Sequence, residues 1–218
     1  MVANGLAPSP PYAIATSSIR AHAVVRASPR RLEALRRDPG IDLRPALLRH
    51  ADDQSVLGLA AVLAAMRAGK LTAETCSSWG ILAAPRYLGR TVLTAAIPRF
   101  VAEGAWAVSP HLVPQQSTHA VAGVISQLLA MRGPSLGIGG GPGAGVEAAL
   151  ASAAWLQIES IPGLWLVMTG WNQEPAPDEQ GQIPADLECA AIHPYILTQQ
   201  NDSGIALHLL EERLADRL

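Results

Sequence analysis

Residues 135–145, Ser135-Leu136-Gly137-Ile138-Gly139-Gly140-Gly141-Pro142-Gly143-Ala144-Gly145, decide how the chain is read. A short apolar strand, Ser135 to Ile138, runs into a glycine-rich turn, and an alanine-rich helix follows over Val146 to Glu159. A helix N-terminus presents unpaired N–H groups and a partial positive charge, so such junctions recur at sites of chemistry. A P-loop needs a Lys-Ser/Thr pair closing the glycine run, and none is present. A dinucleotide fingerprint fits Gly139, Gly141 and Ala144 only loosely, because its acidic partner would be Glu159, at a helix end rather than after a second strand. An acyl-transfer nucleophile turn needs Ser or Cys at its apex, where Pro142 stands. Proline suits a first helical turn, since its missing N–H would have been unpaired anyway. A tight turn that lets two backbones approach therefore accounts for the glycines and the proline together. On this reading Leu136 lies in a buried strand and Gly143 begins the helix.

Working outward, Ser117 to Met131 and Tyr87 to Glu103 read as helices, with Ser109-Pro110 and Pro114 punctuating the connection. Asp52-Asp53 ahead of an Ala/Leu/Val/Met run predicts an N-capped buried helix that stops at Gly69. Trp79 to Ala83 is a short apolar strand, and Tyr12 to Ser18 can open a sheet. Leu164 to Thr169 is apolar throughout, as at the centre of a sheet covered on both faces. Asn172 to Asp186 is a proline-rich loop holding Glu174, Asp178, Glu179 and Asp186 without Lys or Arg. Cys189 to Thr198, a turn at residues 201–204, and Ile205 to Leu210 read as a hairpin. Residues 1–11 are small, polar and loose. The alternation of strands and helices predicts one α/β domain over residues 1–218.

Composition narrows the function. Apolar residues make up 49% of the 218 and charged residues only 16%, against roughly a quarter in an average globular domain. A chain so poor in charge hides surface in its interior or against a partner subunit. A formal net charge of −2 gives no global reason to bind nucleic acid or an anionic membrane. The apolar run from Val56 to Met66 falls short of the roughly 20 residues of a membrane span. With no signal-like N-terminus either, the chain reads as cytoplasmic. Cys76 and Cys189 are too few for a disulfide framework, are not spaced for a metal site, and read as small buried apolar residues. Between Arg26 and Arg49 stand seven arginines (26, 30, 31, 36, 37, 44, 49), a solvated face or a patch for an acidic partner.

Residues 109–145 resemble the segment that leads into the nucleophile of β-ketoacyl synthases of the thiolase superfamily. The matching pieces are Ser109-Pro110, Val113-Pro114, Val121-Ala122-Gly123, Arg132-Gly133-Pro134-Ser135 and the glycine-spaced turn closing at Gly145, in register without a gap. The likeness extends to residues 52–69 and to the strand at 164–170, and is thin before residue 50. It implies a thiolase-like half, a five-stranded mixed sheet with helices on both faces. Cys189 to Thr198 would be its antiparallel member and Ile205 to Leu210 an addition.

The resemblance also implies a loss. The family's cysteine falls in register with Pro142, which offers no sulfur to accept an acyl group. Proline also lacks the amide that serves the family as an oxyanion donor, an interaction worth roughly 3 kcal/mol in comparable sites. The six histidines (22, 50, 111, 119, 193, 208) match none of the family's catalytic motifs, and His119 reads as a packed helix residue. By family pattern the chain corresponds to one half of a synthase. The expectation is a non-catalytic ketosynthase-like subunit of fatty-acid, polyketide or polyene biosynthesis, without cofactor or metal. It would pair with itself or with an active ketosynthase through Ser135, Leu136, Gly137 and Ile138. Gly139, Gly140, Gly141, Pro142, Gly143 and Gly145 would form the turn, with any ligand facing it. The alternatives are a half-synthase enzyme needing a separate C-terminal chain, and an acyl or acyl-carrier-protein binding module.

Overall fold

In the computed structural model, residues 13–38, 45–139, 143–158, 161–178, 186–198 and 205–210 are described. They form an α/β structure around one mixed sheet of seven strands: β1 (Ala13–Ile19), β2 (Val25–Ala27), β3 (Gly80–Arg86), β4 (Ser135–Gly137), β5 (Leu164–Trp171), β6 (Cys189–Thr198) and β7 (Ile205–Leu210). The spatial order is β4-β3-β5-β6-β1-β7, with β2 pairing with β6. Only β4, β3 and β5 are parallel neighbours, and the other pairings are antiparallel.

The expected five strands with an addition at Ile205–Leu210 are corrected to seven strands among the described residues. β2 had no sequence signal, because three residues paired only to β6 are too short for a period of two to show. β6 and β7 keep the expected bounds but are not a hairpin, since β1 lies between them and pairs with both. That pairing joins residues nearly two hundred positions apart, and no local turn can encode it. The turn expected at 201–204 lies outside the described residues.

β3 and β5 are apolar on both faces because both faces are covered. Ile81, Ala83, Trp165 and Val167 meet α3 (Asp53–Ala68) and α7 (Ala120–Leu128) on one side. Leu82, Ala84, Leu164 and Leu166 meet α8 (Ala144–Ile158) on the other. This is the strand's period of two read against two helical layers. Fully burying each of the Leu, Ile and Val side chains contributes roughly 1.5–3 kcal/mol. The sequence signals for α3 hold: Asp52 is its N-cap, accepting from the Gln54 amide at 2.8 Å, and Gly69 ends it.

Four shorter helices complete the description: α1 (Pro29–Arg37), α2 (Pro45–Leu48), α4 (Ala73–Cys76) and α6 (Leu112–Gln116). α5 (Arg90–Glu103) follows β3 through a turn in which Tyr87 and Gly89 take positive φ, 62° and 73°. No helix among the described residues is long and apolar enough to cross a membrane.

Candidate functional site

The three parallel strands end at one edge of the sheet, where ligands of open α/β sheets bind. β4 is the last strand of the order, so its outer edge has no partner strand among the described residues. Leu136 is 39% exposed there, which corrects the expectation of a buried strand. It lies at the margin of the sheet, with a strand on one side only. Past β4 the Ile138 amide still donates to the Ala83 carbonyl at 2.8 Å, holding the start of the turn to β3.

The glycines of this turn have a packing reason. A Cβ on Gly137 would collide with the Thr118 carbonyl, and one on Gly139 with the Thr118 side chain. The approach to α7 therefore seats its backbone directly on the end of β4. On the far side, a Cβ on Gly145 would press on the Met168 sulfur at 3.1 Å. The Gly143 carbonyl accepts from the Val146 and Glu147 amides, so Gly143 opens α8 as expected. Gly140, Gly141 and Pro142 lie outside the described residues.

Behind the turn, the buried Gln54 side chain ties α3 to the carboxyl ends of β3 and β5. It donates to the Arg86 carbonyl at 2.8 Å and accepts from the Thr169 hydroxyl at 2.7 Å. Beside it Asp52 is buried, and burial, helped by the neighbouring Asp53 charge, raises its carboxyl to about 6. Hydrogen bonds from the Gln54 and Gly89 amides and the charge of Arg36 pull the other way and only partly offset the burial.

A cleft of about 250 Å³ opens over Asp52, lined among others by Arg36, Arg49, His50, His111 and Gln116. The His50 and His111 rings stack there, with centroids 5.4 Å apart and planes 10° from parallel. Sequence reasoning missed this pair, since the two residues share no local pattern. Arg36 leaves the solvated face on which the sequence placed it. It donates to the Leu48 and Ala51 carbonyls at 2.7 and 2.6 Å and pairs with Asp53 at 2.7 Å. Arg26, Arg30, Arg31, Arg37 and Arg49 are exposed, and Arg44 lies outside the described residues.

His119 is exposed, which corrects its reading as a packed residue. It stands at the start of α7 with its ring along the helix over Gly123. Cys76 and Cys189 are buried, and burial pushes both thiols up, away from the thiolate a nucleophile needs. Among the described residues no three metal-ligating side chains cluster.

No protein-family model and no curated protein sequence matches the chain. Solved structures do. The AntDE:AntF complex, a type II polyketide synthase acyl-carrier protein with its ketosynthase bound to the hexaketide, matches with a TM-score of 0.61 at 15% identity, covering 84% of this chain and 62% of that one. The ishigamide ketosynthase/chain length factor matches with a TM-score of 0.57 at 15% identity, covering 86% and 63%. The Xenorhabdus doucetiae ketosynthase ApeO in complex with its chain length factor ApeC matches with a TM-score of 0.56 at 12% identity, covering 90% and 61%. The chain thus spans about three-fifths of the length of these neighbours. At such identities the likeness speaks for the architecture alone: the chain shares the fold of these ketosynthase and chain-length-factor structures over that part of their length.

Proposed function

We propose that the chain is a non-catalytic ketosynthase-like subunit of a fatty-acid, polyketide or polyene pathway, pairing with itself or with an active synthase. The observation that carries the reading is Pro142, which stands between β4 and α8 where the resembling family holds its cysteine. A proline there can neither accept an acyl group nor donate its amide to an oxyanion. The open edge of β4 and the exposed Leu136 suit an edge-to-edge contact through residues 135–138. Two of the similar structures are ketosynthases solved with a chain length factor.

Intact-protein mass spectrometry after incubation with an acyl-carrier-protein thioester tests the chemistry. The wild-type chain should stay unmodified, and Pro142→Cys should gain at most slow self-acylation. A stoichiometric adduct on wild type would overturn the reading. Leu136→Asp should weaken the β4 contact, read as a loss of mass by light scattering.

The exposed arginines 26, 30, 31, 37 and 49 support a second reading, docking of an acidic acyl carrier protein. Under it, carrier binding should weaken steeply with salt.

A further inference from the structure

The cleft over Asp52 is lined by two sets of groups with opposite needs. The first set donates. Arg49 is exposed and makes no ion pair or hydrogen bond among the described residues. Beside it the stacked His50 and His111 rings each carry an N–H that can donate.

The second set accepts. Asp52 takes hydrogen bonds from two backbone amides, those of Gln54 and Gly89, which leaves about half of a carboxylate's lone-pair sites unused. It has no ion-pair partner among the described residues, because Arg36 directs its guanidinium to Asp53 and to the Leu48 and Ala51 carbonyls. The Gln115 and Gln116 Oε1 atoms are buried without a hydrogen-bond partner. A buried acceptor left without a donor costs the fold stability that a bound donor would return. A glutamine amide turns easily about its last side-chain bond, so a ligand in the cleft can meet either oxygen.

The balance of charge narrows the ligand. Arg36 and Arg49 match Asp52 and Asp53, so the lining has no net formal charge with its histidines neutral. A simple anion drawn to Arg49 meets the charge of Asp52, and a simple cation drawn to Asp52 meets that of Arg49. A ligand carrying both signs satisfies both. The volume of about 250 Å³ is roughly eight times the 30 Å³ share of a liquid water, which sets an upper size near that of a small amino acid. Val92 and Leu112, also in the lining, suit a short aliphatic side chain.

We propose that the cleft binds a small zwitterion, a free α-amino acid, with its ammonium held by Asp52 and the Gln115 and Gln116 carbonyls and its carboxylate by Arg49 and the two imidazoles. The site uses no residue of the turn at 139–145, so it stands apart from whether that turn is catalytic.

A thermal-shift series on the full chain with the free L-amino acids picks the tightest, and isothermal titration calorimetry compares it with its two halves, the carboxylic acid without the ammonium and the amine without the carboxylate. Each half should bind about ten-fold or more weakly than the whole, since hydrogen bonds to a charged group are lost. Arg49→Met should weaken the amino acid and the carboxylic acid by a similar factor and leave the amine unchanged. Asp52→Asn, which keeps a helix-capping side chain, should weaken the amino acid and the amine and leave the carboxylic acid unchanged. So should Gln115→Met with Gln116→Met. Circular dichroism checks the fold of each variant. Arg49 is exposed, and the two acceptor-side variants are independent, so one that fails to fold leaves the other to decide. Absence of binding by every amino acid, a half that binds as tightly as the whole, or an affinity indifferent to Arg49→Met and to the acceptor-side variants would overturn the proposal.

Discussion

α3 and α5 differ by two residues in length, and both are rich in alanine and larger aliphatic residues. Yet α3 buries eleven of its sixteen residues and α5 none of its fourteen. The difference lies in where the chain delivers them. α3 is laid across the sheet over Trp165 and Val167, with Gln54 pinning its first turn to β3 and β5. α5 departs from the carboxyl end of β3 through the left-handed Tyr87–Gly89 turn and meets chiefly the 3-10 turn after it. An apolar helix is thus evidence that something covers it, and the fold of this chain supplies the cover for α3 alone.

Truncating one residue in each helix should show the largest contrast. Leu59→Ala, at a position 1% exposed, should cost about 2–5 kcal/mol in urea unfolding. Ile97→Ala should stay within about 0.5 kcal/mol in dilute solution. A comparable loss at Ile97 under those conditions would break the comparison.

Asp52 sharpens it, because this one carboxylate caps α3 and also accepts from the Gly89 amide ahead of α5. Its pKa is raised from 3.8 to about 6 in the folded chain, so the folded state holds this proton more tightly than the unfolded state. Below about 4 the group is protonated in both states and has no effect. Between about 4 and 6 the unfolded chain ionises first, and stability falls as pH rises. Above 6 the penalty is complete, on the order of 3 kcal/mol. Relative to Asp52→Asn, wild type should therefore lose stability between pH 4 and pH 7, measured by urea unfolding at each pH. A difference that does not change with pH would show that the carboxylate is not desolvated.

Gly137→Ala tests the other end of the sheet. The added methyl meets the Thr118 backbone, which cannot rotate away as a side chain would. A cost of about 1–3 kcal/mol is expected, seen as a lower thermal midpoint. An unchanged midpoint would mean that β4 and the start of α7 are further apart than described.

Much of this was legible along the chain. Asp52 and Gly69 announced both ends of α3, since caps are local chemistry. The apolar run at 164–169 identified β5, and β6 and β7 kept the bounds read from residue type alone. The strand at Ser135–Gly137 and the helix from Ala144 were equally plain, while Gly140, Gly141 and Pro142 lie outside the described residues. Periodicity and capping sufficed because they depend only on neighbours within a few residues.

What the tertiary structure decided was contact between distant segments. β1 slid between β6 and β7, so a reading of adjacent strands as a hairpin failed. Leu136 reads as a core residue in sequence, and only its place at the sheet margin leaves it in solvent. Gly137 read as a strand residue and Gly139 as a turn residue, and the approach of Thr118 leaves neither position room for a Cβ. His50 meets His111, and Arg36 turns inward to Asp53, across gaps that no motif spans. Side-chain identity fixes what each residue can do, while burial and partners follow from how the sheet brings remote segments to one place.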